Sequence, residues 1–260
     1  MLQVKIGVQL ASLKLPFKKA LLTAAQLGAQ GVEIDVRNEL RPEELSRTGV
    51  RHVRKMMDDL NLRTCAVSFL TRRGYDVLDD LDRRIDATKK ALQLAWDLGA
   101  SVLINSIGPV PADETSLQWA TLTQSLADIG NFGQRVGATL CAETGGDSGQ
   151  DLLRLLKALP DGSLGVNLDP GNLIVGGHSP LDATTALGRY VLHVHAKDGV
   201  RDVAQGRGVE VPLGRGSCEF PVLLAVLEQH EYRGWVTVER HNSPDPLGEV
   251  AAAVKFLRAL

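Results

Sequence analysis

Residues 139–169 read TLCAETGGDSGQDLLRLLKALPDGSLGVNLD, and this stretch contains one complete unit of the fold. An apolar run, Thr139–Glu143, ends on an acid; a helix-like segment follows, and a second apolar run, Gly165–Asp169, again ends on an acid. Working outward in both directions, short β-branched or apolar runs keep alternating with longer stretches of helical period, and Gly, Pro, Asp and Asn mark the joints. Eight such pairs can be counted. Strands are expected at Ile6–Leu10, Gly31–Asp35, Thr64–Phe69, Ser101–Ile107, Thr139–Glu143, Gly165–Asp169, Val191–His195 and Trp235–Glu239. Between them, residues 51–61 place Val53, Met56, Met57 and Leu60 at helical spacing, and residues 87–98 do the same with Ala91, Leu94, Ala95 and Leu98. Leu-Gly-Ala at 27–29 and 98–100, and Val-Gly-Ala at 136–138, read as helix ends, where glycine enters the left-handed conformation at little cost.

Strict β-then-α alternation implies a parallel sheet covered by helices, and eight units favour closure over an open sheet. The expected fold is therefore α/β, a single (β/α)₈ TIM barrel domain over residues 1–260. A Rossmann-type sheet would carry a G-x-G-x-x-G turn after the first strand, whereas Leu10 is followed by Ala-Ser-Leu-Lys-Leu-Pro; no Walker A loop occurs either.

Composition narrows the class of partner. The 29 Lys and Arg balance 31 acids for a net charge of −2, which supplies no overall field to draw a nucleic acid to the surface. Three cysteines, Cys65, Cys141 and Cys218, lie far apart without C-x-x-C spacing and suit a reducing compartment. No secretion signal is evident at the amino terminus, and no apolar run approaches the roughly 18 to 20 residues of a membrane-spanning helix. The expectation is a cytoplasmic protein with a small-molecule substrate, no nucleic-acid or membrane partner, and nothing to decide whether it forms a homo-oligomer.

The chemistry is written where polar residues interrupt apolar strands, because a buried carboxylate or imidazole there costs several kcal/mol unless paired or metal-bound. Glu143, Asp169, His195 and Glu239 end the last four strands, on the side where barrel enzymes keep their sites. The steps from 143 to 169 and from 169 to 195 are both 26 residues, about one β/α unit, so these side chains point at a common centre. Taken singly, each has an ordinary reading as a cap, turn former or surface charge. Three carboxylates and an imidazole without thiolates suit one divalent ion: Mn²⁺, Mg²⁺, Co²⁺ or Zn²⁺.

The segments Cys141-Ala-Glu-Thr, Val166-Asn-Leu-Asp-Pro-Gly-Asn, His193-Val-His-Ala-Lys-Asp, and Gly214-Arg-Gly followed by Val236-Thr-Val-Glu resemble the xylose isomerase-like barrel superfamily over nearly the whole chain. The resemblance is greatest to its sugar phosphate isomerase/epimerase group, including the ketose 3-epimerases. It implies that Glu143, Asp169, His195 and Glu239 hold one divalent metal and that Glu143 and Glu239 are catalytic, one taking a proton from a carbon next to a carbonyl and the other returning it to the opposite face. It also implies substrate contact by Arg201, six residues after His195 in the following loop. Those epimerases carry a substrate-binding His three residues after the metal Asp; this chain has Asn172, either a hydrogen-bond donor to a hydroxyl or a turn residue after Pro170-Gly171.

Other candidates divide between two readings. Glu33 recurs near the substrate in the superfamily and shares a strand face with Asp35, yet a structural role fits it equally. His193, two residues before His195, is either a core histidine or a hydrogen-bonded support behind the metal ligands. Lys197 and Asp198 open the loop after strand seven, as anion-binding groups on the substrate side or as a solvated ion pair. Of the remaining histidines only His241 is expected near the mouth.

The function expected is a metal-dependent isomerase or epimerase of a sugar or sugar acid, working through an enediolate. The main alternative is a dehydratase of the same superfamily, such as inosose or dehydroshikimate dehydratase. An endonuclease IV-like nuclease would need further histidines on early strands, where Ser68 and Ser106 stand instead. A non-catalytic sugar-binding barrel would not need both Glu143 and Glu239.

Overall fold

The computed structural model describes residues 4–202 and 207–260. The strands are β1 (Lys5–Gln9), β2 (Gly31–Asp35), β3 (Arg63–Ser68), β4 (Val102–Asn105), β5 (Thr139–Glu143), β6 (Gly165–Leu168), β7 (Val191–Ala196), β8 (Asp198–Asp202), β9 (Arg207–Val211) and β10 (Trp235–Val238). Eight of them close into a parallel barrel in the ring order β1-β10-β7-β6-β5-β4-β3-β2, and β8 and β9 form a separate antiparallel hairpin. All eight barrel strands fall where the apolar runs lie, with ends displaced by up to two residues. No described helix is long and apolar enough to cross a membrane.

Two apolar layers hold the barrel. Alternate residues face opposite sides of a strand, so Leu103 and Leu140 belong to the main core against the helices, while Ile104 and Cys141 join Ala66 and Val102 in a smaller cluster apart from it. The helices end as the repeated joints suggested: Gly28, Gly99 and Gly137 cap them with φ of +82°, +91° and +95°, conformations that cost an L side chain energy and glycine little. At Gly7 the reason for glycine is space, since an added Cβ would sit 2.5 Å from Thr237 Oγ1 and 2.8 Å from Cys65 Sγ.

After β7 the structure differs from the expected loop: residues 198–202 and 207–211 pair as the β8–β9 hairpin, and Lys197 and Asp198 are both buried, which excludes only the solvated ion pair. The physical reason lies in main-chain amides: Asp198 accepts hydrogen bonds from the N–H groups of Gly199 (2.8 Å), Gly214 (3.0 Å), Gly216 (2.8 Å) and Cys218 (3.0 Å), and so pins both ends of the hairpin. From β9, Glu210 accepts the amides of His241 and Asn242 and pairs with Arg240 at 2.9 Å, which ties the hairpin to the loop after β10.

Replacing Asp198 with Ala strips four amides of their shared acceptor. The expected cost is about 3 kcal/mol or more, and a fall in thermal midpoint of roughly 6–12 °C for a chain of this size. Thermal unfolding followed by circular dichroism checks this; a midpoint within about 2 °C of wild type would contradict the cage.

Candidate metal centre

Four adjacent staves of the barrel, β5, β6, β7 and β10, bring Glu143, Asp169, His195 and Glu239 together. Glu143 and His195 lie within β5 and β7, while Asp169 and Glu239 directly follow the last residues of β6 and β10. One ligand atom from each lies within 4.8 Å of every other, so the set could hold a metal ion. His195 Nδ1 is 3.1 Å from Glu143 Oε1, 3.1 Å from Glu239 Oε2 and 3.7 Å from Asp169 Oδ2. Asp169, His195 and Glu239 are buried; only Glu143 keeps appreciable exposure.

Asp169 shows most plainly that the donor set fits a cation. Its Oδ1 caps the helix Pro170–Gly176 by accepting the Asn172 amide at 2.7 Å. Its Oδ2 is buried with no hydrogen-bond partner, and the nearest ammonium, on Lys197, stands 3.6 Å away. A carboxylate oxygen withdrawn from water without a donor is costly, and this one belongs to the four-residue cluster.

Behind these residues lies a polar network. His195 Nε2 meets Glu33 Oε2 at 2.7 Å, which orients the ring so that Nδ1 faces the cluster. Gln9 donates from one amide nitrogen to Glu33 Oε1 (3.0 Å) and Glu239 Oε1 (2.8 Å), while its own oxygen accepts the Ser12 hydroxyl. Asn167 Nδ2 lies 3.0 Å from His195 Nδ1, and its Oδ1 lies 2.9 Å from His193 Nδ1. His193 Nε2 reaches Thr237 Oγ1 at 2.8 Å.

These surroundings set the charges. Burial and the neighbouring His195 push the His193 pKa down to about 3, so this ring is neutral. Burial would likewise lower His195, but Glu239 and Glu33 overcome it and hold the ring well above its usual value. Burial raises Glu143, opposed by its bond to His195. Burial would raise Glu239 too, yet His195 and Lys197 hold it well below the ordinary carboxylate range. Lys197, despite burial, is kept charged by Asp169 and Glu239.

The other sequence candidates are placed unevenly. Glu33 is fully buried against His195, on the far side of the ring from the cluster. Lys197 bonds Glu239 Oε2 at 3.1 Å, so it sits within the centre's own hydrogen bonds. His193 touches His195 edge-to-face and is linked to it through Asn167. Arg201 lies on β8 rather than in a loop, is exposed, and donates to the Gly177 carbonyl at 2.6 Å. Asn172 stands in the helix after Asp169, and its described hydrogen bond there is through the main chain. Gln9, Asn167 and Thr237 were not singled out by the sequence. Gln9 had a signal, being the polar end of apolar β1. His241 is at the mouth as expected, 2.9 Å from Glu239 Oε1 and 47% exposed.

The profile described as xylose isomerase-like TIM barrel matches residues 21–260. An inosose dehydratase of Clostridium beijerinckii is 23% identical over 279 aligned positions, covering 93% of this chain and 89% of that one. The match to the inosose dehydratase of Halalkalibacterium halodurans, 27% identical, covers 54% of this chain and 52% of that protein, about half its length. Among solved structures, a xylose isomerase domain protein from Planctomyces limnophilus superposes with a TM-score of 0.86 at 23% identity, covering 98% and 96% of the two chains. A probable 3-DHS dehydratase from Bacillus anthracis gives 0.80 at 16% (98% and 99%), and a D-psicose 3-epimerase from Clostridium cellulolyticum 0.79 at 16% (98% and 99%).

Proposed function

Because the chain belongs to the xylose isomerase-like TIM barrel family, we propose that it is a metal-dependent isomerase or epimerase that moves a proton at the carbon next to the carbonyl of a sugar or sugar acid. The observation that carries this reading is the placing of two glutamates at the two ends of one arc. Glu143 comes from β5 and Glu239 from the end of β10, with Asp169 and His195 on the two staves between them.

Glu143, Asp169, His195 and Glu239 would hold the ion, and three oxygen donors with one imidazole suit Mn²⁺, Mg²⁺ or Co²⁺ and admit Zn²⁺. Bound there, a divalent cation supplies positive charge beside the substrate carbonyl, which acidifies the adjacent C–H. One glutamate removes that proton and the other delivers one to the opposite face, as inversion requires. Lys197 and His241 both contact Glu239 and steady its charge through the transfer. Half-exposed His241 also gives the buried carboxylate a proton route to solvent. Arg201 is assigned to the substrate side on the family resemblance, and Asn172 as a hydrogen-bond donor to a hydroxyl at the position where the epimerases carry a His.

Glu33 fixes the ring of His195 from behind. The substitution E33Q is expected to weaken divalent-metal binding by roughly 10–100-fold with the fold retained. Metal titration checks this, and unchanged affinity would remove Glu33 from the centre.

A second reading is favoured by the inosose dehydratase that matches over most of both chains: the same proton abstraction followed by loss of a neighbouring hydroxyl as water. Incubation in deuterated solvent with a panel of ketoses, inososes and hydroxypyruvate separates the two. Deuterium gained without loss of water identifies isomerisation or epimerisation, an unsaturated product identifies dehydration, and neither outcome across the panel rejects proton transfer next to a carbonyl.

A further inference from the structure

A second polar cleft opens on the same face of the barrel, beyond the carboxyl ends of β2 and β3 and away from the four staves that carry the metal centre. It encloses about 640 Å³ between the segment after β2, the segment after β3 and the first turns of the helix Leu81–Leu98. Six arginines line it, Arg37, Arg41, Arg72, Arg73, Arg83 and Arg84, against two carboxylates, Glu43 and Asp80. Glu44 pairs with Arg41 and Asp79 with Arg73, so four carboxylates oppose six guanidinium groups and an excess of positive charge remains that an anion would offset.

Three details make this more than a charged surface. Arg83 and Arg84 occupy the start of an 18-residue helix, where the macrodipole disfavours cations and favours anions, and Asp80 at its head makes no side-chain cap. Arg84 is anchored through Nη1 on the Asp79 carbonyl at 2.9 Å and through Nη2 on the Val77 carbonyl, yet its Nε is buried without an acceptor. Arg37 and Arg73 are likewise held, on Leu70 and Asp79, while Arg72 and Arg83 have no hydrogen-bond or ion-pair partner among the described residues. The cleft thus combines fixed guanidinium groups with two uncommitted ones.

We propose that this cleft binds a phosphate-type dianion, the phosphoryl end of a small organic phosphate or free phosphate. Donors converge from three chain segments, which suits a tetrahedral group with several acceptor oxygens, and the planar fork of each guanidinium engages two of them. The binding does not rest on the chemistry proposed for the metal centre.

The test is calorimetric titration of the whole chain with inorganic phosphate, fructose 6-phosphate and fructose, using wild type, E239Q and the double variant R72Q/R83Q. Wild type and E239Q are expected to bind phosphate saturably and equally, with affinity falling as salt rises. R72Q/R83Q, which removes two exposed and unpartnered side chains, is expected to bind at least about 10-fold more weakly with an unchanged unfolding midpoint. If fructose 6-phosphate binds wild type at least about 10-fold more tightly than both fructose and phosphate, and R72Q/R83Q abolishes the advantage, the phosphoryl group is carried by the sugar. If it binds no better than phosphate, the cleft takes the free anion. Absence of saturable phosphate binding to wild type, or equal affinity in R72Q/R83Q, overturns the proposal.

Discussion

E239Q is expected to lower substrate proton exchange with solvent by roughly 10³–10⁴-fold, the upper range of what a positioned proton carrier contributes. Glu239 Oε1 accepts from Gln9 at 2.8 Å and lies 2.9 Å from His241, while Oε2 accepts from Lys197 at 3.1 Å. Gln has the same shape but carries neither the charge nor the proton, and whichever way its amide turns, an N–H₂ meets a donor. A stability cost of about 1–3 kcal/mol therefore accompanies the loss of activity, small enough for the barrel to persist. Deuterium exchange measured beside thermal unfolding separates the two effects. Exchange within tenfold of wild type in a folded variant would remove Glu239 from the chemistry.

D169N is expected to reduce divalent-metal affinity at least about 100-fold, more than the loss of an outer hydrogen-bond partner costs, while leaving the unfolding midpoint almost in place. The two oxygens of Asp169 are separable. Oδ1 caps the helix Pro170–Gly176, and the amide oxygen of Asn can continue to accept that bond. Oδ2 has no protein donor, and an N–H₂ in its place presents hydrogens to the cluster instead of a lone pair. Competitive chelator titration gives the affinity. Equal metal affinity would show that Oδ2 faces something other than an ion, and a collapse in stability would show that the cap, rather than the centre, governs this residue.

What was legible in the sequence follows from what a strand pattern records. Carboxylates and an imidazole at the ends of apolar runs stand out because the runs make their burial predictable, and the repeated glycine joints mark helix ends for the same local reason. The hairpin left no such trace: Asp198–Asp202 and Arg207–Val211 are short and polar, and their anchor is one carboxylate accepting main-chain amides that every sequence contains. Lys197 looked like a loop charge because its partners, Glu239 and Asp169, are distant in sequence. Glu33 could be placed on one strand face with Asp35 but not against His195, a contact spanning 162 residues. Gln9 satisfied the rule that found the four cluster residues, but an amide is a poor candidate ligand, so its bridging place emerges only from the fold.

The ring order of the staves also divides the mouth into two economies of change. Every member of the four-residue cluster comes from β5, β6, β7 or β10, while the loops that follow β1, β2, β3 and β4 carry none of them. Gln9 and Glu33 touch the cluster from within their strands, and Ser12, just after β1, supports Gln9 and accepts the Arg240 amide beside Glu239. Beyond Ser12, changes in the loops after β2, β3 and β4 leave the four cluster residues themselves in place. Such a barrel separates the semicircle of strands that holds the reactive groups from the semicircle of loops that can be altered with those groups unchanged.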